Sequence, residues 1–315
     1  MTPLRTAVIG IGVQGQRHAE KLAALPASQL VAVVDTDVER ANTVAANLGT
    51  EAVTDYRDLI GHIDAVALST PTSTHFEIAS TLLENGIHLL LEKPITTTLD
   101  EAQDLLRLAE YSGIVLQVGH LERFNPAVVA LTRHVRQPQF IESTRIAPYK
   151  PRALDVSVVL DLMIHDIDLI HSFVRSPMEH VDAVGRSVFS DSIDVANARI
   201  RFADGCVANV TSSRVSLKTE RSLRIFQADS YASVDLQNRS FTYYGKRGTG
   251  PVSGPEDVAI DKQTFDAGDA MMDQTQAFLD SICGGPPPLV DGQRAMEALE
   301  TALAIANAVA RQPSL

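Results

Sequence analysis

The amino-acid sequence predicts an α/β protein, with a doubly wound parallel sheet at the N-terminus and an α+β domain built on an antiparallel sheet behind it. Three observations lead there. Residues 6–120 alternate short apolar runs with amphipathic helical patterns, as parallel strands joined by crossover helices require. Those runs are apolar at consecutive positions, the mark of strands covered on both faces. Beyond His120 the hydrophobic period changes to two, the pattern of strands with one face in a core.

In chain order, "TAVIG" (6–10) is a strand followed by a helix through "HAEKLAAL". "LVAVVD" (30–35) precedes "DVERANTVAANLG", whose Gly49 stands where a helix C-terminus wants a glycine. "DAVALST" (64–70) leads into "THFEIASTLLENG". "IHLLLEKP" (87–94) leads to a helix in which Thr98 and Glu101 form a capping box and Gly113 ends the last turn. "IVLQVGH" (114–120) closes the series. A helix is expected from Pro126 to about Arg136 and another over 156–175. "NARIRF" then turns through Asp204-Gly205 into "CVANVT", a hairpin, and "RSLRIFQA", "YASVDLQ" and "SFTYYG" continue the sheet. Residues 245–268 read as loop, and two helices, about 269–283 and 292–311, end the sequence. The domains are set at 1–119 and 120–315, with the last helix a candidate to pack back on the first.

At 315 residues, 45% hydrophobic and 21% charged, the composition is that of a soluble globular protein large enough for two domains. A formal charge of −12 argues against a nucleic-acid or anionic-membrane surface. Two cysteines, Cys206 and Cys283, make neither a disulfide framework nor a zinc cluster, and they fit a reducing compartment. No basic segment followed by an apolar one opens the sequence, and no apolar run approaches the ~18 residues of a membrane span. A cytoplasmic location is expected.

Gly10, Gly12 and Gly15 form G-x-G-x-x-G directly after the first strand and at the start of a helix. Gly10 permits the tight turn, Gly12 lets the backbone approach a pyrophosphate, and Gly15 allows close helix–strand packing. Val13 and Gln14 open the helix and bring free N–H groups to the phosphates. The second strand ends in Asp35, 20 residues after Gly15, where a carboxylate accepts both ribose hydroxyls of NAD and repels the 2′-phosphate of NADP. Thr36 and Asp37 bring no compensating cation, and Arg40, the nearest arginine, lies within the helix. NAD is the expected cofactor.

Ligands of such sheets lie beyond the carboxyl ends of the strands. "STPTSTH" (69–75), with Thr70, Pro71 and His75, and "LLLEKP", with Glu92 and Lys93, both end there. A strand must end somewhere, and charges are common where it does. A lysine beside an oxidised nicotinamide, however, has its pKa lowered by the neighbouring charge and by desolvation, toward a range useful in proton transfer. Further on, "VVLDLMIHDIDLIH" places Asp161, His165 and Asp168 on one helix face, with Asp166 and His171 pointing elsewhere. Three readings fit those residues: carboxylates orienting a core histidine, a metal site lacking a dependable fourth ligand, or acid–base chemistry at His165 with Asp161 orienting the ring.

The glycine motif with His18 close behind, "STPTSTH", "EKP" and the later D-x-x-x-H together resemble the Gfo/Idh/MocA oxidoreductases over essentially the whole sequence. The resemblance implies a Rossmann domain followed by an open-faced, mostly antiparallel sheet that forms homodimers or homotetramers. It implies that Lys93 and His165 act at the reacting hydroxyl, which favours the acid–base reading with no metal. It also extends to a regulatory protein that binds dinucleotide without turnover.

"GHLERFNP" (119–126) supplies an N-cap at Asn125 and a first-turn Pro126. With "VVLDLMIHDIDL" it is similar to the branch of the family acting on nucleotide-linked amino sugars. That likeness implies oxidation at C3 of a UDP-linked N-acetylamino sugar, with an aminotransferase downstream in lipid A precursor synthesis. A free polyol such as inositol is the competing substrate. Arg123, Arg145, Lys150 and Arg152 are the cations at hand for a diphosphate. Lys93, Arg123, Asn125, Arg152, Asp161 and His165 form the expected substrate set.

Overall fold

The computed structural model describes residues 2–150 and 156–311. They fall into two compact units, Met1–Leu121 with Asp269–Met296, and Glu122–Gly268 with Glu297–Leu315.

The first unit carries β1 (Leu4–Ile9), α1 (Val13–Ala24), β2 (Ser28–Val34), α2 (Val38–Leu48), β3 (Glu51–Val53), β4 (Ala65–Leu68), α3 (His75–Glu84), β5 (His88–Leu91), α4 (Leu99–Ser112) and β6 (Leu116–Val118). The strands form one parallel sheet in the order β3-β2-β1-β4-β5-β6. Chain order reverses between β1 and β4, and a sheet of this kind opens a ligand crevice at that reversal. β4 and most of β5 are fully buried, which explains their unbroken apolar sequences. Both anticipated helix ends occur: Gly49 and Gly113 adopt left-handed conformations at φ +66° and +65°, and the Thr98–Glu101 capping box is complete. β3 is an added strand. Its three residues carry no apolar run, and pairing with β2 alone defines it. α7 (Ala270–Ile282) belongs to this unit, its Phe278 and Leu279 sharing a core with Ala19 and Leu22 of α1.

The second unit contains α5 (Pro126–Leu131), β7 (Phe140–Ile146), α6 (Ile164–Phe173), β8 (Met178–Arg186), β9 (Val195–Phe202), β10 (Val207–Ser213), β11 (Glu220–Phe226), β12 (Ser230–Asp235), β13 (Ser240–Lys246) and β14 (Val258–Thr264). α8 (Gly292–Ala310) ends the described structure. The eight strands run in the order β14-β13-β12-β11-β7-β10-β9-β8, antiparallel except for β7 with β10. β9 buries Ala196, Ala198, Ile200 and Phe202 and exposes the residues between them, so one face meets a core shared with α6. The β9–β10 hairpin turns through Gly205 at φ +87°.

Three sequence expectations are corrected. The segment read as loop, 245–268, contains β14, an edge strand whose Asp261 and Lys262 break the apolar alternation and whose position rests on pairing with β13. The helix expected to reach Arg136 stops at Leu131, and further on the Gln227 side chain accepts the backbone N–H groups of Arg136 at 2.6 Å and Gln137 at 3.0 Å. The helix over 156–175 opens with a π turn, Val159–Met163, before becoming α-helical at Ile164. β8 is also present, its surface polar enough to hide the strand period.

Candidate functional site

At the reversal point of the parallel sheet, β1 turns into α1 through the three motif glycines. Gly10 has φ +80°, and a Cβ there would meet the Ser69 carbonyl at 2.7 Å. A Cβ on Gly15 would fall 1.8 Å from the Gly10 carbonyl, so helix and turn approach as only glycine allows. A Cβ on Gly12 meets nothing within 4 Å, and no side chain caps the N-terminus of α1. The turn therefore leaves open backbone and free helix N–H groups beside Gly12, Val13 and Gln14, which is what a pyrophosphate requires. Val13 is 75% exposed.

Asp35, buried at the end of β2, is held by its neighbours. The Ile11 N–H donates to Oδ2 at 3.0 Å and the Asp37 N–H to Oδ1 at 2.9 Å. Arg40 lies within α2 as expected, and its guanidinium folds back to 3.2 Å from Asp35 Oδ2 and 2.9 Å from Asp37 Oδ2.

The loop after β4 brings Thr70 and Pro71 to the same sheet edge, with the Thr74 hydroxyl donating to Thr70 Oγ1 at 2.8 Å. His75 has a structural task where a cofactor contact was expected. Its Nδ1 lies 2.9 Å from the Pro94 carbonyl and its Nε2 3.0 Å from the Thr70 carbonyl, tying the two loops together. Burial lowers its pKa, against the opposing pull of those carbonyls.

Lys93 follows β5, half-buried, with a cis bond to Pro94. Glu92 turns inward: Oε1 lies 2.8 Å from His18 Nε2, and Oε2 accepts the Lys93 N–H at 3.2 Å. Burial works against the Glu92 charge, but the hydrogen bond and charge of His18, the charge of Lys93 and the Lys93 N–H together hold its carboxyl below the usual range.

In the second unit, Asp161 sits in the π turn and His165 in the first turn of α6, both half-buried. Asp168 is buried, its Oδ1 3.6 Å from Arg123 Nη1. Asp166 and His171 do point elsewhere. Asp166 receives Arg145 Nε at 2.9 Å and Nη2 at 3.0 Å, and His171 Nε2 lies 2.8 Å from Thr301 Oγ1.

Two substrate expectations change in this unit. Arg145 is buried and also donates to Glu122 at 2.9 Å, so its charge is already matched by two carboxylates rather than offered to a diphosphate. Burial works against that charge, and Asp166 and Glu122 more than reverse the effect, raising its pKa. Asn125 caps α5 by accepting the Ala127 N–H at 3.1 Å and donates to the Leu236 carbonyl at 2.9 Å, which makes it a buried tie to the residue that follows β12. Asp166, Glu122 and Leu236 lie 21, 23 and 111 residues from the side chains they meet, so of these contacts only the N-cap to Ala127 is legible locally. Arg152 lies outside the described residues. Among those residues no group of three or more His, Cys, Asp or Glu side chains is arranged to hold a metal ion, and no helix is long and apolar enough to cross a membrane.

Comparison with known proteins agrees with these features. Residues 4–120 match the model of an oxidoreductase family with an NAD-binding Rossmann fold, and residues 127–249 match the Gfo/Idh/MocA C-terminal domain. UDP-N-acetylglucosamine 3-dehydrogenase from Acidithiobacillus ferrooxidans is 39% identical over 98% of each chain. A solved structure of that enzyme superposes with a TM-score of 0.91, again covering 98% of each chain. The NAD-dependent scyllo-inositol 2-dehydrogenase of Bacillus subtilis is 28% identical over 96% of this chain and 93% of its own. With an open glycine turn, a buried carboxylate at the end of β2 and both family domains in order, this chain belongs to the Gfo/Idh/MocA family and is an NAD-dependent oxidoreductase.

Proposed function

We propose that the protein oxidises the C3 hydroxyl of UDP-N-acetylglucosamine to the 3-keto sugar. The observation that carries this reading is the 39% identity, over nearly the full length of both chains, to an enzyme of that name. NAD, when bound, supplies the acceptor for the hydride that leaves the carbinol carbon. Lys93 donates a hydrogen bond to the hydroxyl oxygen and polarises it. His165 takes the hydroxyl proton, with Asp161 orienting its ring. Gly12, Val13 and Gln14 hold the pyrophosphate with backbone N–H groups, Asp35 takes the ribose hydroxyls, and Thr70 and Pro71 flank the nicotinamide half.

Arg123, Lys150 and Arg152 remain the cations for the UDP diphosphate. The ketone is suited to an aminotransferase that installs a 3-amino group, as in lipid A precursor synthesis. A homo-oligomer fits the open face of the second sheet. There Phe140, Phe226, Tyr231 and Tyr244 form a ladder across four strands, with successive centroids 5.6, 4.8 and 5.7 Å apart. Such a row of rings on a sheet face favours a partner surface.

The test is NADH formation at 340 nm with NAD and UDP-N-acetylglucosamine, the ketone trapped by a carbonyl reagent. Free N-acetylglucosamine, UDP-glucose and scyllo-inositol serve as parallel substrates. Turnover confined to the UDP-amino sugar supports the reading. Turnover with inositol alone sinks it, and tight NAD binding with no NADH from any sugar points to a dinucleotide sensor.

A further inference from the structure

We propose that His18 is a positioning residue for Lys93, acting through Glu92. The inference rests on the reading that Lys93 works at the substrate hydroxyl, and it assigns the part that holds that lysine in place.

His18 lies on the inner face of α1, 1% exposed, and its Nδ1 is buried without a hydrogen-bond partner. A polar ring in an apolar layer is unfavourable unless a specific interaction compensates. Here the compensation is one contact, Nε2 to Glu92 Oε1 at 2.8 Å. Because a carboxylate only accepts, Nε2 carries the proton in that contact. A leucine would fill the same volume but could not donate, so packing does not account for the histidine.

Glu92 passes the constraint on. Its second oxygen accepts the Lys93 N–H at 3.2 Å, so one carboxylate is anchored to α1 at one end and to the backbone of Lys93 at the other. The third wall is Gly119, after β6, where a Cβ would stand 3.1–3.2 Å from the Glu92 carboxyl group. Helix, strand end and neighbouring strand end thus fix one carboxylate, and the carboxylate fixes the turn from which Lys93 extends. Loss of the His18 donor leaves a buried carboxylate short of a partner, and Glu92 must rotate or take up a proton. Either change releases the Lys93 backbone. NAD binding is left intact, since the glycine turn and Asp35 take no part in the chain of contacts.

The experiment compares His18→Phe, His18→Gln and Lys93→Met with the unmodified protein. It measures kcat and KM with NAD and UDP-N-acetylglucosamine, and NAD affinity by calorimetry. His18→Phe is expected to lower kcat about 10- to 100-fold, the scale set by small misplacement of a catalytic group, with KM and NAD affinity within about threefold. His18→Gln, which can present an amide N–H where Nε2 stood, is expected to recover kcat to within about fivefold of the original.

A readout independent of turnover comes from protein labelled with ¹⁵N-lysine, since the chain has six lysines. The Lys93 amide peak, identified by its loss in Lys93→Met, should move upfield in His18→Phe and stay in place in His18→Gln. Lys93→Met inactive with His18→Phe fully active overturns the positioning role and leaves Lys93 in the reaction. Lys93→Met fully active removes the role of Lys93, and that of His18 with it. Should His18→Phe not fold, His18→Asn takes its place, its shorter amide falling short of Glu92. Equal kcat in the Asn and Gln variants then overturns the proposal.

Discussion

Arg40 Nη1 lies 3.2 Å from Asp35 Oδ2, so the carboxylate proposed to take the ribose hydroxyls has beside it the cation an NADP site would need. Asp35→Ser removes the ribose acceptor and leaves Arg40 to meet a 2′-phosphate. The ratio of NADP to NAD affinity is expected to rise at least ~100-fold in that variant, from loss of one charge repulsion and gain of one charge-assisted contact. Arg40→Ala should change NAD affinity less than about threefold, because backbone N–H groups still orient Asp35. Titration of each variant with both dinucleotides is the check, and an Asp35→Ser protein that ignores NADP would refute the expectation.

Lys93→Met and His165→Asn should each lower kcat about 10²- to 10⁴-fold, the range for removing a positioned acid–base group. Dissociation constants for NAD should stay close to the original, since neither residue helps form the glycine turn. Stopped-flow single turnovers with the C3-deuterated sugar separate chemistry from release. An unchanged rate of hydride transfer in His165→Asn would exclude that residue as base.

The buried contacts of Arg145 predict a stability phenotype in place of a binding one. Arg145→Met leaves the buried Asp166 without its cation, while the half-buried Glu122 keeps Arg221 at 3.5 Å, and it should lower stability by about 3–5 kcal/mol. Adding Asp166→Leu to that variant should restore part of the loss, because two opposite charges are then removed together. Urea titrations of the single and double variants decide it. A double variant no more stable than the single one would refute the expected recovery.

His171 makes the second unit acid-sensitive. Burial lowers its pKa to about 4, against an opposing pull from Asp168. With a folded pKa below the unfolded value of about 6.5, its contribution is complete above that value and is lost as pH falls from about 6.5 toward 4. The unfolded chain takes up a proton in that window that the native ring refuses, at about 1.4 kcal/mol per pH unit and about 3 kcal/mol in all. His171→Gln should flatten that part of the stability curve. Urea midpoints measured from pH 7 to pH 4.5 give the test, and parallel curves for the two proteins would sink it.

Local signals are legible in the sequence because local physics decides them. The glycine turn, the capping box at Thr98, the left-handed Gly49 and Gly113 and the Asp204-Gly205 hairpin each depend on residues a few positions apart. The buried strands of the first unit announced themselves because nothing polar can sit in them. β14 carries no such signal, because an edge strand with no fully buried residue owes its form to a neighbour. The partners of Arg145, Asn125 and Gln227 were equally hidden, since Asp166, Leu236 and the backbone of Arg136 lie 21, 111 and 91 residues away in sequence. His18 was visible as part of a motif, but its task at Glu92, 74 positions on, required the fold.

The first unit is discontinuous in the chain, with residues 269–296 completing what residues 1–121 begin. During synthesis the cofactor sheet can therefore assemble early, yet its α1 face lacks Phe278 and Leu279 until nearly the whole polypeptide has emerged. Until then Ala19 and Leu22 are exposed apolar surface, the kind that chaperones hold and that aggregates. The half of the protein translated first waits for a segment near the other end of the chain, so a nonsense mutation anywhere before α7 yields a dinucleotide fold with an unsealed flank.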